Sequence, residues 1–78
     1  MATLRLFASA REAAGTGSTS IEGATVGAVI ESATATFGPS FAALLPSCRI
    51  WRNGEPALDD DPVGPDDEIA VLPPVSGG

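Results

Sequence analysis

Only one stretch of this sequence carries an apolar stripe long enough to cover a sheet. Val26, Val29, Ile30, Ala33 and Phe37 recur at helical spacing. Thr25 stands just ahead of them as an N-cap, since its hydroxyl can accept from a free amide of the first turn. Gly38-Pro39 stops the helix. The remaining apolar residues alternate with period two or sit between glycines and prolines. A single main helix must therefore pack on one face of one sheet.

The strands follow from that alternation. Thr3–Ala8 places Leu4, Leu6 and Ala8 on one face, with Thr3, Arg5 and Phe7 on the other. Gly15 and Gly17 mark a turn into a second short strand, Ser18–Glu22, which pairs back as a hairpin with Thr19 and Ile21 on one face. Pro39–Cys48 reads as a short helical turn with Phe41, Leu44 and Leu45 inward. Arg49–Asn53 is a strand closed by the tight turn Asn53-Gly54. Ala57–Leu58 is a very short strand, and Asp59–Asp67 a solvated acidic loop whose prolines break up any cation-binding spacing. Glu68–Leu72 is the last strand, with Ile69 and Val71 inward and Ala70 and Leu72 outward. The expected fold is α+β: a β-grasp with a mixed sheet of four to five strands, the first and last side by side at its centre. Residues 1–72 form the domain and 73–78 a projecting tail.

One position conflicts with this scheme. If Ile50 faces the core, so must Arg52, and a buried unpaired arginine is costly. Either Arg52 sits at the rim with its head reaching water, or the register shifts and Trp51 turns inward.

The apolar content is small: Leu, Ile, Val and Phe number 18 of 78 residues, and 13 more are alanine. A core built from these is thin and depends on patterning. There is no His and no Lys. That excludes an internal Ser-His-Asp or Cys-His nucleophile, a Schiff-base amine and the lysine of a phosphate loop. The single Cys48 can form no internal disulfide and no zinc site, so no metal is expected. A net charge of −6 argues against nucleic acid as a partner. Neither a secretory leader nor a membrane span is visible, and the expected location is the cytoplasm.

The end of the chain is its unusual part. A strand finishes at Leu72, Pro73 and Pro74 stiffen the exit, and Val75-Ser76-Gly77-Gly78 follows. Prolines favour extended geometry, so the tail is expected to project. Gly77 and Gly78 lack a Cβ, so a partner can close around their backbone. A terminal glycine carboxylate is the least hindered acyl group a chain can offer. At the root of the tail, Phe7, Ala70, Leu72 and Trp51 would form an apolar patch of the kind that marks protein contacts.

Several segments, taken in order, resemble a known family. They are Leu6-Phe7-Ala8, Arg11-Glu12-Ala13-Ala14-Gly15, Thr25-Val26-Gly27, Asn53-Gly54-Glu55, Asp66-Asp67-Glu68-Ile69-Ala70 and Leu72-Pro73-Pro74-Val75-Ser76-Gly77-Gly78. The pattern resembles the MoaD family of molybdopterin synthase small subunits, ubiquitin-like sulfur carriers. Ala28 departs from it, standing where the family often has Glu. The resemblance implies a sulfur donor with no bound cofactor, not a stand-alone enzyme. The Gly78 carboxylate, presented by Gly77, would be adenylated by an ATP-dependent activating enzyme and converted to a thiocarboxylate. The large synthase subunit would then hold the tail while the sulfur attacks cyclic pyranopterin monophosphate. Phe7, Arg11, Leu72, Pro73, Pro74, Val75 and Ser76 would contact the partners. A carrier for thiamin or cysteine biosynthesis, or a protein modifier joined through Gly78, is the alternative.

Overall fold

The computed structural model describes residues 1–74; Val75, Ser76, Gly77 and Gly78 lie outside the described residues. Five strands form one sheet: β1 (Ala2–Leu6), β2 (Ser18–Ile21), β3 (Arg49–Arg52), β4 (Glu55–Pro56) and β5 (Glu68–Leu72). Their order is β2-β1-β5-β3-β4. β1 and β5 run parallel, Leu4 opposite Ile69 and Leu6 opposite Val71, and every other pairing is antiparallel. The expected mixed β-grasp sheet is present, with the last strand at its middle and the first beside it.

Helix α1 (Ala8–Ala14) stands beside the expected main helix, α2 (Val26–Phe37), and the expected helical turn after Gly38 is α3 (Pro39–Leu44). A single 3-10 turn, Leu45–Ser47, follows. The core is Leu4, Leu6, Ala10, Ile21, Val26, Val29, Ala33, Phe41, Ile69 and Val71, with Ile30, Phe37, Leu45 and Ile50 packed against it. Ring centroids of Phe37 and Phe41 lie 5.2 Å apart edge to face, which ties the end of α2 to α3.

α2 starts and stops where its sequence dictates. Thr25 Oγ1 accepts from the Ala28 amide at 3.2 Å. The Val26 and Gly27 amides donate to the carbonyls of Asp61 and Asp59, each at 2.9 Å, and the Val29 amide to Thr25 at 3.0 Å. All four first-turn donors are thereby satisfied. The acidic loop is thus an ordered cap whose backbone closes the helix. Its carboxylates staple its own turns: Asp61 Oδ2 accepts from the Leu58 amide and Asp67 Oδ2 from the Gly64 amide. Gly23 is required by close approach, since a Cβ there would lie 2.6 Å from the Val29 nitrogen.

Three expectations need correction. The first strand ends at Leu6 and not at Ala8, because Ala8 takes φ +50° and turns the chain into α1. α1 is a helix that the alternation does not predict, and the expected turn at Gly15 is its left-handed C-cap. The short strand expected at Ala57–Leu58 lies two residues earlier, at Glu55–Pro56, directly after the Asn53-Gly54 turn. Both turn residues have positive φ, 52° and 84°, as a two-residue hairpin of this hand requires. Pro56 is tolerated because β4 is an edge strand. Among the described residues no helix is long and apolar enough to cross a membrane.

Candidate functional site

Strand register fixes what surrounds the exit of the tail. Ile69 and Val71 are fully buried against the helices, which sends Ala70 and Leu72 to the open face of the sheet. Ala70 is opposite Arg5 on one side and Trp51 on the other, and Leu72 is opposite Arg49. Trp51 is in turn opposite Pro56. One row therefore crosses all five strands: Ser18, Arg5, Ala70, Trp51, Pro56. Trp51 lies half-buried on this face.

The same register resolves the arginine conflict in favour of the rim. Arg52 is opposite Ile69 on the helix side, yet its side chain is 34% exposed and Nη1 reaches Asp67 Oδ2 at 3.7 Å. Asp67 belongs to a clamp at the end of the sheet away from the tail. Asn53 Nδ2 donates to Asp67 Oδ1 at 2.8 Å, and the Glu68 amide donates to Asn53 Oδ1 at 2.9 Å. The Gly64 amide, then Asn53 and Arg52, hold the Asp67 carboxyl below the usual carboxylate range.

Phe7 follows Leu6 at the tail end of β1. It is the N-cap residue of α1, its carbonyl accepting from the Ala10 and Arg11 amides, and its side chain is 40% exposed. The Arg5 guanidinium carbon lies 5.7 Å from the ring centroid, while Arg5 Nη1 lies 3.5 Å from Glu68 Oε2. Arg11 is exposed in the last turn of α1. It crosses Gly17, where a Cβ would come 3.3 Å from its Nε. Gly17 accepts from the Leu6 amide, so Arg11 also sits at the tail end of the sheet.

Phe7, Arg11, Leu72, Pro73 and Pro74 thus stand at one end of the molecule, with Pro73 half-buried and Pro74 exposed. Val75, Ser76, Gly77 and Gly78 lie outside the described residues. Sequence reasoning did not single out Arg5 and Arg49. Only the cross-strand register places them beside Ala70 and Leu72. Cys48 takes no part: its Sγ donates to the Leu44 carbonyl at 3.1 Å, and burial pushes its thiol pKa up. Among the described residues no three metal-ligating side chains converge.

Residues 4–78 match the model of the ThiS family. Among solved structures the chain is similar to SAMP1 from Haloferax volcanii, at 28% identity and TM-score 0.90 over 99% of this chain and 98% of that one. It is also similar to a Pyrococcus furiosus protein provisionally named molybdopterin converting factor, subunit 1, at 26% identity and TM-score 0.84 over 95% and 97% of the two chains. The Amycolatopsis orientalis BexX/CysO complex matches over 100% of both chains at 22% identity and TM-score 0.81, a likeness of fold alone. No curated protein matched the chain.

Proposed function

The chain belongs to the ThiS family of β-grasp sulfur carriers and ubiquitin-like modifiers, and on that premise we propose that it carries sulfur for molybdenum cofactor biosynthesis. The observation that supports this most is the site's construction. A fully paired central strand ends at Leu72 on an open, partly apolar face, and the family match runs on to Gly78. In this reading the domain, residues 1–72, is a handle and the tail, 73–78, the working end.

The chemistry divides between this chain and its partners. A carboxylate is a poor electrophile until it holds a good leaving group. The Gly78 carboxylate attacks the α-phosphorus of ATP in the activating enzyme and releases pyrophosphate. Hydrosulfide then attacks the acyl carbon and displaces AMP, leaving a thiocarboxylate, ionised at neutral pH and a soft nucleophile. The chain has no Lys for a phosphate loop and no His to move a proton. The activating enzyme supplies both functions. The large synthase subunit next receives the tail; the sulfur attacks a carbon of cyclic pyranopterin monophosphate and displaces an oxygen substituent, and water then cleaves the acyl–sulfur bond and returns the Gly78 carboxylate. Gly77 and Gly78 let that active site close on the backbone, while Phe7, Arg11, Leu72 and Pro73 to Ser76 dock the handle.

Similarity to the Pyrococcus furiosus protein favours the molybdopterin pathway. Similarity to SAMP1 favours a second reading, in which Gly78 forms an isopeptide with lysines of other proteins. Mass spectrometry of the protein from its own cells separates the two. The proposal expects a sulfur-for-oxygen increase on Gly78 and copurification with a molybdopterin synthase large subunit. Adducts on target lysines without the thiocarboxylate would establish the modifier. A thiocarboxylate recovered only with a thiazole- or cysteine-forming enzyme would move the carrier to another pathway.

A further inference from the structure

Three of the four arginines stand toward the end of the sheet where the tail leaves. Arg49 opens β3 opposite Leu72, Arg5 lies opposite Ala70, and Arg11 crosses Gly17 at the top of the β1–β2 pair. Glu12, next to Arg11 on α1, lines the same hollow, but most of the acids are elsewhere. Six of the ten fall within residues 59–68, which lead into the other end of β5, where Arg52 meets Asp67. Strands advance about 3.3 Å per residue, so Glu68 and Leu72 are roughly 13 Å apart. That exceeds the screening length of about 8 Å at physiological ionic strength. A body approaching the tail therefore meets Arg11 and Arg49, with Glu12 the acid beside Arg11, more than the overall charge of −6. Arg5 is partly neutralised by Glu68, whereas Arg11 and Arg49 have no ion pair among the described residues. Leu72 lies beside Arg49 and the exposed ring of Phe7 follows the end of β1, with Trp51 two residues further along β3.

We propose that this end of the sheet docks a partner protein whose contact surface is apolar at its centre and acidic at its rim, with Arg11 and Arg49 engaging the rim carboxylates. The inference rests on the carrier reading, since it names the chemistry of the surface that receives the tail. Guanidinium groups suit this role because they pair with carboxylates in a two-pronged fashion. A second copy of the chain could offer its own acidic loop. That contact joins unlike ends, however, and strings copies into an open filament instead of closing a dimer. A foreign acidic surface fits better.

Exposed charge pairs act more on the rate of encounter than on final affinity, so the test reads both position and rate. The isotope-labelled full chain is titrated at low salt with hexaglutamate and, separately, hexalysine. Hexaglutamate should shift amide signals of Arg11, Arg49 and Leu72, and hexalysine those of residues 59–67. The double variant Arg11→Glu/Arg49→Glu, with Arg11→Gln/Arg49→Gln as a milder control, should lose the hexaglutamate response. Hexaglutamate shifts that are absent, fall in the acidic loop or persist in both variants overturn the proposal. So does self-association of the wild type in sedimentation that charge reversal abolishes, which would assign the surface to a second copy. With the purified enzyme that loads Gly78, reversal should slow association about tenfold and flatten its salt dependence. If wild type acquires sulfur but its association ignores reversal, the docking proposal fails and the carrier reading stands. If wild type never acquires sulfur while hexaglutamate maps to Arg11 and Arg49, the carrier reading fails and the acidic-partner surface remains.

Discussion

Asp67 illustrates how much this small fold asks of single polar side chains. Its carboxylate receives the Gly64 amide and the Asn53 side chain, with Arg52 nearby, and its pKa is lowered as a result. The folded state therefore favours the charged form. The clamp's stabilisation is complete above the ordinary aspartate value of about 3.9 and is lost as pH falls below it, through the lower folded value. Urea unfolding across the acid range should show stability declining there, and Asp67→Asn should flatten that decline. An unchanged acid limb in the variant would remove Asp67 from the account. Thr25 makes a second such contribution, and Thr25→Ala should cost about 1 kcal/mol in the same measurement. Other residues were only half legible. The sequence posed the Arg52 conflict but could not choose between rim and shifted register. That choice depends on a long-range pairing, Arg52 opposite Ile69, which no local pattern encodes.

At the scale of elements, long periodic stripes were readable and short alanine-built ones were not. α2 is legible complete with cap and stop because four large or branched residues, with Ala33, mark one face. α1 buries Ala10 and leans Ala13 and Ala14 on the core, side chains too small to stand out against thirteen alanines. Its signal is present in good helix formers ending at Gly15, yet the alternation of β1 runs straight into it. Elements also divide by task. Phe41 is fully buried where α3 meets α2, and Phe41→Ala should cost about 3–5 kcal/mol. That is a large share of the roughly 5–15 kcal/mol available to a domain. Phe7 is exposed at the β1–α1 junction, so Phe7→Asp should leave the melting transition nearly unchanged while weakening partner capture. A variant that unfolds instead would place Phe7 in the core.

For the whole molecule, the proposal divides the chain into a handle and a working end. Among the described residues the buried core runs from Leu4 to Val71. Deleting Gly78 should therefore abolish thiocarboxylate formation, read by mass spectrometry, and leave thermal unfolding unaltered. A lowered melting temperature would mean that the tail contributes to the body. The architecture was legible because one helical stripe and a few alternating runs admit few arrangements. The polarity of the molecule was not, since it arises only when β3 is laid against β5.

The parallel pairing of β1 with β5 has a consequence for how the protein is made. Leu4 and Ile69 are neighbours in the sheet but nearly the whole chain apart in synthesis. Until β5 leaves the ribosome, β1 and β3 have an empty lane between them, and contacts this distant are also slow to form. An interrupted translation product would hold no finished sheet. Such a fragment would leave the facing edges of β1 and β3 unpaired, open to pairing with other chains.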